Sequence, residues 1–362
     1  MATKYQVVAD TLRAQMQAGK YANATILPSE FAIAQEYQVS RQTVRQALAL
    51  LAQDGLIETR RGSGSHILRT VSGNAARRYN IAVIVTYISD YIFPSTLREI
   101  EGVLSRQECT SSIFATRNQV ANERKILSRL LEQPVDGIIV EATKSALPNP
   151  NLDLYQQLMS RKIPLVFVHG YYADLPESHF VLDANYDGGL TLARYLADQG
   201  YTHIGGVFKS DDIQGHGRYA GYSAGLRERG LELRDQNVFW FDTGTKETLL
   251  AGDDAPIRAF FDAALREVDS FVCYNDELAY FFEQQLQARG LRIPEDVALV
   301  SFDDSNYSKL SPVPLTSLSH GKENTGRTAA HMMLKLLQGE YCQSVQVPWE
   351  LVVRESSGRK RP

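Results

Sequence analysis

Arg41, Gln42 and Arg45 stand together on one side of a stretch whose other side carries Val44, Ala47, Leu48 and Leu51. Two guanidinium forks and a carboxamide at that spacing match the hydrogen-bonding edges of bases: arginine presents two parallel donors to guanine, and glutamine pairs with adenine. The apolar set recurs at helical spacing, which predicts a helix over about 41–53, with Ser40 as N-cap and Asp54-Gly55 as its stop. Ser29, following Pro28, caps a shorter helix over about 30–37. The pair reads as a helix-turn-helix whose second member presents its first turns to a major groove. Val8, Leu12 and Met16, on a helix over about 7–18, would complete the core. Leu56–Thr59 and Ser65–Leu68 read as strands joined at Arg60-Arg61-Gly62-Ser63-Gly64. Such a glycine-rich tip lets backbone approach a duplex, and its arginines suit phosphate or the minor groove. A three-helix module with solvated arginines is the bland alternative.

From Tyr79 onward, apolar strands alternate with amphipathic helices. This predicts parallel sheets covered on both faces, with enough chain for two lobes. Ligands of such sheets bind beyond the carboxyl ends of the strands, here in a crevice between lobes. The residues at and just after the predicted strands are therefore candidates. They are Tyr91, Glu141, Lys144, His169, Asp183, Trp240, Asn275 and Asp303, with Arg218 in the loop after strand Ile204–Phe208. Planar polar groups bind adjacent sugar hydroxyls in pairs, because each hydroxyl both donates and accepts. Tyr91 and Trp240 could cover the apolar face of a sugar ring. Arg218 and Asp303 come from different stretches, so a ligand bridging them would favour closure of the lobes. Each candidate also has a structural reading: carboxylates such as Asp183 cap helices, and aromatic rings pack.

A chain of 362 residues exceeds one typical domain. Residues 1–78 hold ten basic and five acidic side chains, a net +5; the whole chain is −4, so the remainder is −9. A basic head on an acidic body suits a polyanion-binding module joined to something that does not bind polyanions. Arg69–Arg78 is polar without an apolar period and reads as a linker, giving domains 1–68 and 79–362 on either side of 69–78. Cys109, Cys273 and Cys342 lie far apart, which fits a reducing cytosol and opposes a disulfide framework or a thiolate zinc site. No apolar run reaches the roughly 20 residues needed to span a bilayer, and no export signal is readable, so a cytoplasmic location is expected. Phosphate-loop, nucleophile-elbow and zinc-helix motifs are absent, and seven histidines show no metal-ligand spacing. No metal, cofactor or catalytic residue is expected. An enzyme reading reduces to a carboxylate pair such as Glu141 and Asp183.

Lys4-Tyr5, Leu27-Pro28-Ser29-Glu30, Ser40-Arg41-Gln42-Thr43-Val44-Arg45, Asp54-Gly55-Leu56-Ile57 and Gly62-Ser63-Gly64 together resemble the winged-helix domain of the GntR family. The resemblance implies that Lys4, Arg41, Gln42, Thr43, Arg45, Arg60, Arg61 and Gly62 face DNA. Arg218-Tyr-Ala-Gly221-Tyr222, the run Tyr274–Ala279, Gly290–Val297 and Val300–Asp304 are similar to the effector domain of LacI/GalR regulators, over about 79–356. This implies a two-lobed, periplasmic-binding-protein-like α/β fold in which Arg218, Asn275 and Asp303 contact a sugar or nucleobase. The expected fold class is thus an α+β winged helix-turn-helix followed by two lobes with parallel sheets. The LacI-type headpiece and hinge helix are absent, so their mechanism does not transfer. The composite resembles sugar-responsive repressors of Gram-positive bacteria. It implies a homodimer on operator DNA, released by a small sugar, with L-arabinose as the implied effector. Another sugar, a nucleobase, or a non-regulatory sugar-binding protein are the alternatives.

Overall fold

The apolar periodicities of the first 67 residues become three helices and a hairpin: α1 (Lys4–Gln17), α2 (Glu30–Glu36), α3 (Arg41–Gln53), β1 (Ile57–Arg60) and β2 (Gly64–Ile67). In this computed structural model the chain divides into two units, 1–78 and 79–362. The structure describes residues 4–17, 20–21, 24–53, 56–60, 64–67, 79–133, 135–321 and 324–358. The expected helix stop at 54–55, the hairpin tip at 61–63 and the linker 69–78 lie outside them.

Two serines start the helices as expected. Ser29 Oγ accepts from the Ala32 N–H at 3.2 Å, and Ser40 Oγ from the Thr43 N–H at 3.2 Å. Each satisfies a backbone donor that the first turn leaves open. Val8, Leu12, Ile33, Val44, Ala47, Leu48, Leu51 and Ile57 bury one another as the core. Residues 25–27 run along β2: Leu27 N–H donates to the Ser65 carbonyl and Ile67 N–H to the Thr25 carbonyl, at 2.9 and 3.0 Å.

The second unit runs β3 (Asn80–Val85), α4 (Phe93–Leu104), β4 (Thr110–Ala115), α5 (Val120–Glu132), β5 (Gly137–Glu141), α6 (Leu152–Ser160), β6 (Leu165–Val168), β7 (His179–Asp183), α7 (Asn185–Asp198), β8 (Ile204–Lys209), α8 (Ile213–Glu228) and β9 (Val238–Phe241). It continues through α9 (Thr243–Leu250), α10 (Ala255–Ala264), β10 (Ser270–Cys273), α11 (Asp276–Ala288), β11 (Ala298–Phe302), α12 (Asn306–Leu310), β12 (Thr316–Ser319), α13 (Thr325–Leu337), β13 (Val345–Val347) and β14 (Glu350–Val352). The first sheet has strand order β13-β7-β6-β5-β3-β4, all parallel; the second has β14-β12-β11-β10-β8-β9, antiparallel only between β12 and β14. Helices α4 and α13 cover one face of the first sheet and α5 and α6 the other. The second is covered by α9, α10 and α11 on one face and by α7 and α8 on the other. The central strands β3, β5, β6, β10 and β11 therefore read as near-continuous apolar runs. Strands β13 and β14 escape sequence reading because three residues carry no periodicity.

The chain crosses between lobes three times: from β7 to α7, from β12 to α13, and from β13 to β14. Helices α7 and α8 meet at backbone distance. A Cβ added at Gly221 would sit 1.9 Å from the Tyr186 carbonyl oxygen, and one at Gly189 2.0 Å from that of Arg218. Gly221→Ala should therefore force the helices apart and lower stability by about 1–3 kcal/mol in urea unfolding. An unchanged midpoint would show that the two helices are free to separate.

Candidate functional site

The two arginines of α3 are exposed, with side chains 63% and 65% accessible for Arg41 and Arg45. Both turn toward Glu30 in the first turn of α2. Arg45 Nε lies 2.9 and 3.1 Å from its two carboxylate oxygens, and Arg41 Nη2 lies 3.7 Å away. Exposed pairs of this kind add little stability. What Glu30 supplies is direction, holding two forks side by side on the surface. Lys4 and Gln42 are also exposed, whereas Thr43 is half-buried, with its hydroxyl 2.8 Å from that of Ser40. The Arg60 side chain, Arg61 and Gly62 lie outside the described residues.

In the second unit, a cavity lies between the carboxyl ends of the two sheets. Tyr91, Glu141 and His169 line it from the first lobe, and Arg218, Asn275 and Asp303 from the second. Three other candidates do not line it. Lys144 has its backbone N–H on Asn118 Oδ1 at 2.8 Å. Asp183 is buried behind His169. Trp240 packs on Tyr219, Phe208 and His216 at the outer edge strand β9. Strand alternation explains Trp240: its neighbour Phe241 is the residue that turns into the core.

Arg218 belongs to α8 rather than to a loop, because Asp212 caps that helix early by accepting from the Gln214 N–H. The guanidinium is only 2% exposed. Its N–H groups reach Asn185 Oδ1 at 2.9 Å, Gln214 Oε1 at 3.3 Å, Asp303 Oδ1 at 3.4 Å and the Tyr274 carbonyl. The rings of Phe302, Tyr274 and Trp349 enclose it at 4.2, 4.7 and 5.6 Å. Arg218 and Asp303 thus sit in the same lobe and already pair, so a ligand touching both does not by itself join the lobes.

The lobes are joined directly instead. Tyr91 OH donates to Asp303 Oδ2 at 2.7 Å and accepts from the Asp276 N–H at 3.1 Å. Ser145 Oγ donates to Asp212 Oδ1 at 3.1 Å, and the Asn118 amide donates to Thr243 Oγ1. This is a closed arrangement. Burial, then the neighbouring Asp303, raise the Tyr91 phenol well above its usual range. Burial, then Asp303, push the Asp276 carboxyl up to about 7, although Ser301, Ser317 and the Ser305 N–H all donate to it.

His169 shares the first lobe's wall with the polar groups of Thr86, Asn118 and Glu141. Its Nδ1 meets Asp183 Oδ2 at 3.2 Å, while its Nε2 is buried without a partner in the cavity wall. Burial works to lower its pKa, but the hydrogen bond and charge of Asp183, with Glu141 and Asp303 nearby, hold it up to about 9. Tyr91, Lys144, His169 and Asp303 all take left-handed backbone in the segments that follow strands, with φ of 54°, 46°, 60° and 95°. Non-glycine residues of this kind gather where a site over-determines the backbone.

Sequence reasoning missed Thr86, Asn118, Gln214, Thr243 and Lys246 on the wall. Gln214, Thr243 and Lys246 sit in the first turns of α8 and α9. The caps Asp212 and Asp242 were the available signal, since each accepts from the backbone two or three residues on.

Arg45→Ala should weaken specific operator binding by about 1–3 kcal/mol per half-site in a gel shift, the worth of a fork that reads a guanine. Operator affinity equal to the parent's would exclude α3 as the reading helix. For the buried pair, a histidine raised from 6.5 to about 9 contributes stability that is full below 6.5 and lost as pH rises through about 9. An NMR titration should accordingly find the His169 ring protonated at pH 7.5, and a midpoint near 6.5 would contradict the pairing.

Residues 4–67 match the family of bacterial regulatory proteins of gntR type, and residues 193–357 the periplasmic binding protein-like domain. The chain is 35% identical to the arabinose metabolism transcriptional repressor of Halalkalibacterium halodurans, covering 100% of this chain and 98% of that one. It is 32% identical to the protein of the same name from Geobacillus stearothermophilus, with 91% of each chain covered. The transcription regulator CcpA of Lactococcus lactis superposes with a TM-score of 0.68 at 22% identity, over 78% of this chain and 100% of that one. The chain belongs to the family of sugar-responsive, DNA-binding transcriptional repressors, regulators rather than enzymes, that join a GntR helix-turn-helix to a LacI-type effector domain.

Proposed function

We propose that this chain binds operator DNA in the cytoplasm as a homodimer, and that L-arabinose in the cleft lowers its DNA affinity. The charge balance of the cavity wall carries this reading. Its four cationic side chains, His169, Lys209, Arg218 and Lys246, each lie within 3.4 Å of a carboxylate, on Asp183, Asp211, Asp303 and Glu277 respectively. With Glu141 and Asp212 also on the wall, no positive charge is left uncompensated, which suits a neutral polyol better than a phosphate or carboxylate. The two relatives named for arabinose metabolism favour arabinose among such sugars.

One winged helix reads one half-site, so a pair is needed for tight binding. The second lobe carries an apolar surface of Tyr280, Tyr307 and Leu310, the last 81% exposed, which a second copy would cover. A sugar releases DNA only if it binds the DNA-incompetent arrangement more tightly. A ligand meeting Glu141 and His169 on one side and Asn275 and Asp303 on the other favours closure.

Isothermal titration with L-arabinose, D-glucose, adenine and L-arabinose 5-phosphate, paired with gel shifts, tests the reading. L-Arabinose should bind and release operator, and tighter binding of the phosphate would overturn it. Glu141→Gln and Asp303→Asn should each weaken the sugar about tenfold or more, the scale of a hydrogen bond to a charged group. Asparagine also keeps the left-handed backbone at 303. Sugar-free operator binding should stay at the parent level.

A further inference from the structure

The three crossovers between the lobes are tied to one another by side chains. Asp183, at the start of the first, accepts from His320 Nε2 on the second, at 2.7 Å. The His320 ring stacks on Trp349 of the third, with centroids 4.2 Å apart and planes 27° apart. Trp349 lies edge-on to Phe302 and beneath the Arg218 guanidinium. Arg218 returns to the first crossover through Asn185, whose amide donates to the Asp183 carbonyl at 3.1 Å. The loop of contacts is closed, and it meets the cavity at two residues, His169 and Arg218.

The packing around Trp349 is tight. A Cβ on Gly188 would come within 2.9 Å of its ring. Its Nε1 is buried without a partner, so shape rather than a hydrogen bond holds the indole. Neither His320 nor Trp349 lines the cavity. A change in lobe angle must twist all three crossovers, and three strands bolted together cannot twist without parting the stack or the Asp183–His320 bond. A packed element of this kind has discrete arrangements rather than a continuum.

Resting on the reading of the cleft as the sugar site, we infer that His320 and Trp349 are positioning residues that hold the crossovers in the closed arrangement, and that cavity occupancy sets the lobe angle through them. Removing the clamp disfavours closure, so the sugar must then supply what the clamp supplied.

The chain has two tryptophans, so Trp240→Phe leaves Trp349 as the sole indole reporter in an otherwise native protein. L-Arabinose should change its emission with the midpoint seen by calorimetry. Calorimetric binding without any emission change would overturn the inference, whereas absence of binding to the parent would overturn the effector reading itself. In gel shifts His320→Leu should need about tenfold more sugar for half-release, with unchanged operator affinity in its absence. His320→Gln keeps an N–H for Asp183 and should restore release to within about twofold of the parent. A parental dose response in His320→Leu, read below its melting temperature, would also overturn the inference.

Discussion

The second unit is organised around the buried guanidinium of Arg218. Removing a guanidinium from water costs several kcal/mol unless its donors are satisfied and its charge is met. Arg218 is satisfied by acceptors from four separate pieces of chain: the start of α7, its own helix, the end of β10 and the loop after β11. Their mutual placement is therefore fixed by a single side chain. Glycines at 189 and 221 are part of the same requirement, because α8 brings Arg218 to the crossover only if α7 lies at backbone distance. The aromatic cage excludes water, which strengthens the ion pair with Asp303 and sets the orientation of the face that a ligand meets.

The proposed switch needs two arrangements of similar energy around this anchor. The first lobe meets the second through a set of individual hydrogen bonds, with Tyr91 bonding Asp303, Asn118 bonding Thr243 and Ser145 bonding Asp212 among them. Each is a hydrogen bond of modest net worth, so a ligand that bonds both lobes adds a comparable contribution to closure. Left-handed backbone in the segments that follow strands holds the polar groups in place before any ligand arrives. Hinge closure of this kind asks that the lobes keep their shape while the angle between them responds.

The DNA-reading module follows a different logic. Its basic forks are exposed and cost little to hold, and one carboxylate, Glu30, aligns both. Reading a groove requires projection from a stiff helix, whereas sensing a small molecule requires enclosure.

What the sequence determined by itself was local and periodic. Serine caps, the apolar faces of α1 and α3, and the alternation of strands with helices were legible because they depend on neighbours within a few residues. The positions of Glu141, His169, Asn275 and Asp303 at strand ends were legible for the same reason, since parallel sheets gather their carboxyl ends on one side. Tertiary structure alone decided which of these ends face one another. Trp240 was expected at the cleft and instead packs on the outer edge, while Gln214 and Lys246 entered the wall through helix starts hidden among glycines and threonines. The direct pairing of Arg218 with Asp303, and the closed ring through Asp183, His320 and Trp349, join residues up to 166 positions apart (183 to 349). No local rule encodes them, because burial determines which distant partner a charge or a ring must find.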